Sequence, residues 1–172
     1  AGDSNLMGNE LNMLQSSVIA CGERIEKLRY SLNKNQSRFP MKELDIQNLT
    51  DEQEESIDAL ILRYSQCVSM IQDQIFKGIA YVEQEDLSDK SNRDKTLLME
   101  KMGAIKSADD FGTAAILRNK FSHHYPEEKR QRIERLNLVI EEAKFVVDTY
   151  VNISGYLQRK GFLDAKRKNS DH

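Results

Sequence analysis

The chain has few of the residues that end helices or cross-link small folds. Its 172 residues include two prolines, eight glycines and two cysteines. So little turn-forming chemistry excludes a sandwich or barrel of many short strands, and long helices are expected instead. Cys21 and Cys67 form no C-x-x-C pair. Neither a zinc site nor a disulfide framework is therefore indicated, and we expect two buried thiols in a reducing cytoplasm.

Long apolar runs and a strongly basic charge balance are also missing. No run approaches the roughly 20 apolar residues that a membrane-spanning helix needs, so no membrane segment is expected. The formal net charge is −3, whereas proteins that coat nucleic acids depend on many lysine and arginine contacts to phosphates. This excludes a general nucleic-acid coat but leaves room for a local basic site. We expect a cytoplasmic protein.

What the chain does contain is helical periodicity. Apolar residues recur at alternating steps of three and four over residues 11–32, 57–82 and 133–157, as they do in amphipathic helices. Helix-start signals stand at Thr50 and Ser107, and Gly103 is a helix-end signal. The sequence therefore predicts an all-α, antiparallel up-and-down bundle of about five helices in a single domain over residues 1–172. Residues 1–4 are predicted as a disordered start and residues 162–172 as a basic, mobile tail.

One segment departs from this pattern. Residues 118–126 read Arg-Asn-Lys-Phe-Ser-His-His-Tyr-Pro and contain two of the three histidines. One interpretation is a polar helix end, in which histidine complements the helix dipole and Pro126 starts the next helix. The other is chemical, because histidine transfers protons near neutral pH and arginine binds phosphate through two N–H groups. In RNA the ribose 2′-hydroxyl is an internal nucleophile, so these side chains suit metal-independent cleavage of the phosphodiester.

Helical geometry limits the chemical interpretation. Five residues of an α-helix turn through about 140°, which separates Arg118 from His123 on one helix. The two side chains meet only if the helix unwinds before Pro126, which disfavours helical geometry at Tyr125, or if two chains contribute to one cleft. The residues alone leave both interpretations of the segment open.

The pattern Arg118-Asn119-x-x-x-His123-x-Tyr125 resembles the arginine-and-histidine motif of the HEPN superfamily, in the form found in HepT-like toxins. The similarity continues upstream through residues 93–95 and 99–103 and Leu117, and reaches back to residues 62–65 and 75–76. It implies a HEPN-type four-helix core. It also implies a homodimeric, metal-independent endoribonuclease toxin without a cofactor, whose two motifs meet at a cleft between the subunits.

The resemblance implies a role for each residue of the motif. His123 would be the general acid or base, Arg118 would stabilise charge on the phosphate, and Asn119 would orient the phosphate or the histidine. Tyr125 matches the tyrosine that a minimal nucleotidyltransferase antitoxin modifies with AMP, which would place negative charge where RNA binds. The chain's other expected RNA contacts are Lys120, His124, Lys129, Arg130 and Arg132, although a solvated surface is the commoner role for any single cation.

Two other functions compete with the ribonuclease. The chain also resembles HEPN proteins that lack nuclease activity and present a nucleotide or substrate to a nucleotidyltransferase. Such a noncatalytic subunit would use the same cleft. A plain structural bundle is the third interpretation. Cleavage of RNA by the purified protein in a chelator, lost on Arg118→Ala or His123→Ala, separates the first from the other two.

Overall fold

The fold is known from a computed structural model, which describes residues 2–123 and 129–164. All regular structure in these residues is helical, so the predicted all-α class is confirmed. In chain order the elements are α1 (Gly2–Asn35) with a 3-10 turn (Gln36–Arg38), α2 (Glu43–Gln47), α3 (Asp51–Met70), a π-helical turn (Ile71–Ile75), α4 (Phe76–Val82), α5 (Asn92–Met102), α6 (Ala108–Ser122) and α7 (Lys129–Arg159).

The predicted helix-end signals are present in the structure. The Thr50 hydroxyl accepts a hydrogen bond from the Gln53 backbone N–H, and the Gln53 side chain accepts one from the Thr50 N–H. The Ser91 and Ser107 hydroxyls likewise each accept a hydrogen bond from a backbone N–H in the first turn of α5 and α6. Gly103 ends α5 at φ 87°, a left-handed conformation that glycine adopts without steric cost.

Contacts between distant residues show that α1 runs antiparallel to the α3–α4 unit. Near the C-terminal end of α1, the Arg63 guanidinium donates a 2.7 Å hydrogen bond to the Ser31 hydroxyl. Near the N-terminal end, a Cβ added at Gly78 would lie 3.0 Å from the Leu14 side chain. The absence of a side chain at Gly78 therefore lets α4 approach α1 closely.

The other two long helices complete the bundle. Helix α7 lies against α1, where the Tyr150 hydroxyl donates a 2.9 Å hydrogen bond to the carbonyl of Val18. Helix α6 lies against the α3–α4 unit, where the rings of Phe76 and Phe111 are 4.9 Å apart, and also contacts α7. Helices α1, α3–α4, α6 and α7 thus form the predicted up-and-down bundle, and α5 packs against α4 and α6.

A continuous apolar core fills the centre of the bundle. Its largest fully buried side chains come from six helices and the π turn: Leu14, Ile25, Leu28, Leu60, Tyr64, Ile71, Ile75, Phe76, Ile79, Met99, Phe111 and Ile153. Cys21 and Cys67 belong to the same core as free thiols. Burial raises the pKa of each thiol to about 12, which keeps both protonated near neutral pH.

The ends of the described chain differ from the prediction. Helix α1 begins at Gly2, where a disordered start was predicted for residues 1–4. At the other end, the Phe162 carbonyl accepts a hydrogen bond from the Gln15 side chain, and the Phe162 N–H donates to the Leu157 carbonyl. Residues 162–164 therefore belong to the folded bundle, whereas the prediction assigned them to the tail. Residues 165–172 lie outside the described residues.

The segment after Pro40 contains the five-residue helix α2. None of the described helices has the length and apolar character needed to cross a membrane.

Candidate functional site

The motif residues lie at the C-terminal end of α6. Arg118 and Asn119 are on its last turns, and the Ser122 hydroxyl donates a hydrogen bond to the Arg118 carbonyl. His123 is the first residue after the helix and has an extended backbone, with φ −110° and ψ 132°. The angle of about 140° expected between Arg118 and His123 on a regular helix therefore does not apply to these two residues. The side chains of Asn119 and His123 are exposed, whereas Arg118 is half-buried.

The Arg118 guanidinium is directed at the α3–α4 unit. Its Nη1 donates a 2.7 Å hydrogen bond to the Ser69 hydroxyl, and its Nη2 donates a longer one of 3.4 Å to Oε1 of Gln72. Its Nε is buried and has no hydrogen-bond partner among the described residues. Gln72 is only 6% exposed and lies in the π-helical turn, an element that occurs frequently at functional sites.

The positive charge of Arg118 also affects the pKa of Tyr64, one of the fully buried side chains of α3. Burial is the largest cause that raises the pKa of Tyr64, and the negative charge of Glu142 raises it further, while the positive charge of Arg118 acts in the opposite direction. No carboxylate of the described residues forms an ion pair with Arg118. Its guanidinium is thus held by neutral acceptors.

His123 faces a different space, which we call the His123 cleft. The cleft lies between α2, α3, the end of α6 and the first turns of α7, and its volume is about 440 Å³. Its apolar walls are Ile46, Leu49, Ile57, Ile61, Phe121 and Leu136, and its polar lining is Glu54, Asp58, Lys120, His123, Arg132 and Arg135. A concave, mostly apolar space with a few polar groups is the usual form of a small-ligand site.

Cations outnumber carboxylates at the His123 cleft. Arg135 donates a 3.1 Å hydrogen bond from Nη1 to the carbonyl of Lys120, one of the carbonyls that have no partner within α6 at its negative end. Glu54 and Asp58 of α3 are the carboxylates opposite them. The chain has a net charge of −3, so this end of α6 is a local basic site in an acidic protein.

The structure brings some of the predicted site residues together and separates others. His123 and Lys120 line one cleft with Arg132. Arg118 does not line it, because its guanidinium lies against Ser69 and Gln72. His124 and Tyr125 lie outside the described residues.

Lys129 and Arg130, predicted as RNA contacts, form ion pairs on the surface of α7. Lys129 Nζ lies 3.7 Å from a carboxylate oxygen of Glu43, and Arg130 Nε lies 3.3 Å from one of Glu134. Both cations are largely exposed. Such pairs contribute little to stability and exchange readily with other anions, so their role in RNA binding stays a prediction.

Sequence reasoning did not identify Ser69, Gln72 or Arg135 as part of the site. Gln72 carries a usable signal, because it stands four residues after Val68 and four before Phe76, both of which are buried. A polar residue on an apolar helix face must find a partner inside the fold. Ser69 and Arg135 show no comparable signal, because serine and arginine are both common on the partly exposed faces of helices.

The described residues offer no metal site, and the chain matches no known protein. Within residues 2–123 and 129–164, no three His, Cys, Asp or Glu side chains are grouped so that they could hold a metal ion. No family model, curated protein or solved structure matches the chain. The resemblance to the HEPN superfamily is therefore neither supported nor contradicted by these comparisons.

Proposed function

We propose that this chain is a metal-independent endoribonuclease of the HEPN type and the toxin of a toxin–antitoxin pair. One observation carries the proposal: His123 stands at a cleft that also holds Lys120, Arg132 and Arg135. A histidine beside several cations supplies a proton acceptor next to groups that bind phosphate. The apolar walls, which include Phe121, give a nucleobase a surface to stack on.

The chemistry follows from these groups. His123 removes the proton from the ribose 2′-hydroxyl, and the 2′-oxygen attacks the adjacent phosphorus. The bond from phosphorus to the 5′-oxygen breaks, and that oxygen leaves with a proton from the protonated histidine or from water. A 2′,3′-cyclic phosphate remains on one fragment. Arg118 stabilises the charge that develops on the phosphate oxygens, and Asn119 orients the phosphate or the histidine.

The first experiment is an RNA cleavage assay in chelator. We expect cleavage with a cyclic phosphate end, no cleavage of an all-DNA strand, and a loss of at least about a hundredfold on His123→Ala or Arg118→Ala. Arg29→Ala is the matched control, because Arg29 is an exposed arginine on α1 that pairs with Glu26. Cleavage of DNA, or complete dependence on an added metal ion, would refute the mechanism.

A homodimer reconciles the mechanism with the separation of Arg118 and His123. In the proposed dimer the two motifs meet, so that Arg118 of one subunit serves a site with His123 of the other. Mixing inactive Arg118→Ala and inactive His123→Ala should then restore about a quarter of the wild-type activity, because half of the dimers are mixed and each has one complete site. Light scattering should give twice 19.8 kDa. A monomer, or no restoration by mixing, contradicts the composite site.

Control by a nucleotidyltransferase antitoxin is part of the same proposal. Tyr125 follows His123 by two residues in the sequence, and AMP on it would add negative charge where RNA is proposed to bind. Wild type incubated with the transferase and ATP should gain the mass of AMP and lose activity, and Tyr125→Phe should do neither. Tyr30→Phe is the control, because Tyr30 is 63% exposed and lies on α1. Labelling of the Tyr125→Phe variant would show that another residue is modified.

A second function is favoured by one observation. Within a single chain Arg118 and His123 do not share a cavity, as expected if the protein is a noncatalytic subunit that binds a nucleotide or substrate for a nucleotidyltransferase. That function predicts no RNA cleavage by the wild type at any protein concentration. It also predicts saturable nucleotide binding that Lys120→Ala or Arg132→Ala weakens.

A further inference from the structure

The half-buried Arg118 carries a charge that the described chain does not neutralise. Its guanidinium has five N–H groups, and two of them donate to Ser69 and Gln72. Both acceptors are neutral. Burying a cation without a counter-charge is costly, so an arginine in this position is expected to bind an anion that lies outside residues 2–123 and 129–164.

Ser69 and Gln72 hold the guanidinium from one side. Each accepts from a different terminal nitrogen, which fixes the plane of the group as well as its position. Each terminal nitrogen carries a second N–H that is not used in these two bonds. Phosphate oxygens are bound best by a guanidinium whose orientation is already fixed, because less side-chain entropy is lost on binding.

The acceptors themselves are well fixed. Gln72 is 94% buried and belongs to the π-helical turn between α3 and α4. Ser69 precedes this turn on α3 and lies 2.7 Å from Arg118 Nη1, the shorter of the two contacts. Neither residue is in the sequence motif, yet both contact the motif's arginine.

We propose that Ser69 and Gln72 are positioning residues for Arg118, and that they orient its guanidinium to bind a phosphate group of RNA. This inference rests on the proposed function, since RNA binding is what supplies the anion. The competing explanation is that the two contacts only join α6 to α3.

The chain offers a matched control for that competing explanation. Arg63 Nη1 donates to the Ser31 hydroxyl at the same distance of 2.7 Å, and this contact joins α3 to α1. Ser31→Ala therefore removes a hydrogen bond of the same kind and length at a different helix contact. Ser69→Ala and Gln72→Met remove the Arg118 acceptors with little change of volume, and Ser69→Thr keeps the hydroxyl.

The kinetic experiment compares these variants in RNA cleavage by the full chain. We expect Ser69→Ala and Gln72→Met to lower kcat/KM about ten- to a hundredfold, the effect of losing a hydrogen bond to a charged group, with KM for RNA raised about tenfold. Ser69→Thr should stay within about threefold of wild type, and so should Ser31→Ala. Equal losses in Ser69→Ala and Ser31→Ala would mean a purely structural role and overturn the inference.

A second measurement does not need cleavage. A 2′-O-methyl RNA oligomer is added while ¹⁵N NMR records the Nε–H signal of Arg118. This signal is identified by its loss in Arg118→Lys. The signal should shift in wild type and in Ser31→Ala, and the affinity should fall about tenfold in Ser69→Ala. If wild type shifts but cuts no RNA, the ribonuclease proposal fails and the positioning role stands. No shift in wild type, or equal affinity in Ser69→Ala, overturns the positioning role.

Discussion

Asn35 at the end of α1 makes four hydrogen bonds with its side chain. Its Nδ2 donates to the carbonyls of Ser31 at 2.8 Å and Ser56 at 3.2 Å. Its Oδ1 accepts from Arg38 Nη1 at 2.7 Å and from the Ser56 hydroxyl at 3.1 Å. The residue is fully buried. It thus connects the last turn of α1 to the first turns of α3.

The Asn35→Ala substitution removes all four bonds. Each is worth about 0.5–1.5 kcal/mol, so the four together give about 4 kcal/mol at the middle of that range and roughly 6 kcal/mol at most. The loss should be smaller, because Arg38 has access to water and the Ser31 carbonyl keeps its helical partner. We therefore expect the free energy of unfolding to fall by about 3 kcal/mol. For a chain of this size, that corresponds to a Tm lower by roughly 6–12 °C.

The assay is urea unfolding followed by circular dichroism, with Asn33→Ala as the control. Asn33 lies two residues earlier in α1 and is exposed. Alanine is a better helix former than asparagine at both positions, so the difference between the variants isolates the buried contacts. A difference below about 1 kcal/mol, with unchanged m-values, would refute the reasoning.

Three further predictions concern the core and α7. Cys21 and Cys67 should not react with a thiol reagent at pH 8 until the protein unfolds, since burial raises both pKa values to about 12; rapid labelling of the native protein would contradict this. Tyr64→Phe should lower the free energy of unfolding by about 1 kcal/mol in urea, because the hydroxyl donates a 2.6 Å hydrogen bond to the Ala114 carbonyl. The pKa of Glu142 is raised by burial and then by neighbouring carboxylates. The folded state therefore binds this proton more tightly than the unfolded state, and stability falls as pH rises through the raised pKa. Glu142→Gln should therefore be more stable than wild type at pH 7 and equal to it below pH about 4; an equal gain at both pH values would refute the assignment.

The sequence was sufficient for the helices because their signals are local. The reciprocal Thr50 and Gln53 bonds span three residues, and an apolar stripe is visible in any window of two or three turns. The π-helical turn was not predicted. Ile71, Ile75 and Phe76 are all buried, so the apolar stripe continues across the turn and its periodicity does not reveal the inserted residue.

The candidate site was predicted only in part, because its contacts join residues far apart in the chain. The motif located Arg118 and His123, but Ser69 and Gln72 precede Arg118 by more than 40 residues. No periodicity connects a serine on one helix with an arginine on another. The His123 cleft likewise needs α2, α3 and α7 to be packed around the end of α6. Side-chain direction across helices is a property of packing, which the pattern of a single helix does not contain.

The contact between α3 and α6 shows why a charge at Arg118 needs a reason beyond packing. Tyr64 already joins these helices by an uncharged hydrogen bond to Ala114, and its ring meets Phe121 edge-on at 6.3 Å. A second hydrogen bond between the same helices could also be uncharged. An uncharged bond would avoid the cost of moving a guanidinium partly out of water. The chain instead places an arginine there, and its acceptors in the part of the chain that the structure describes are neutral. A bound anion would recover the missing interaction, so the charge is better explained by a ligand than by the stability of the bundle.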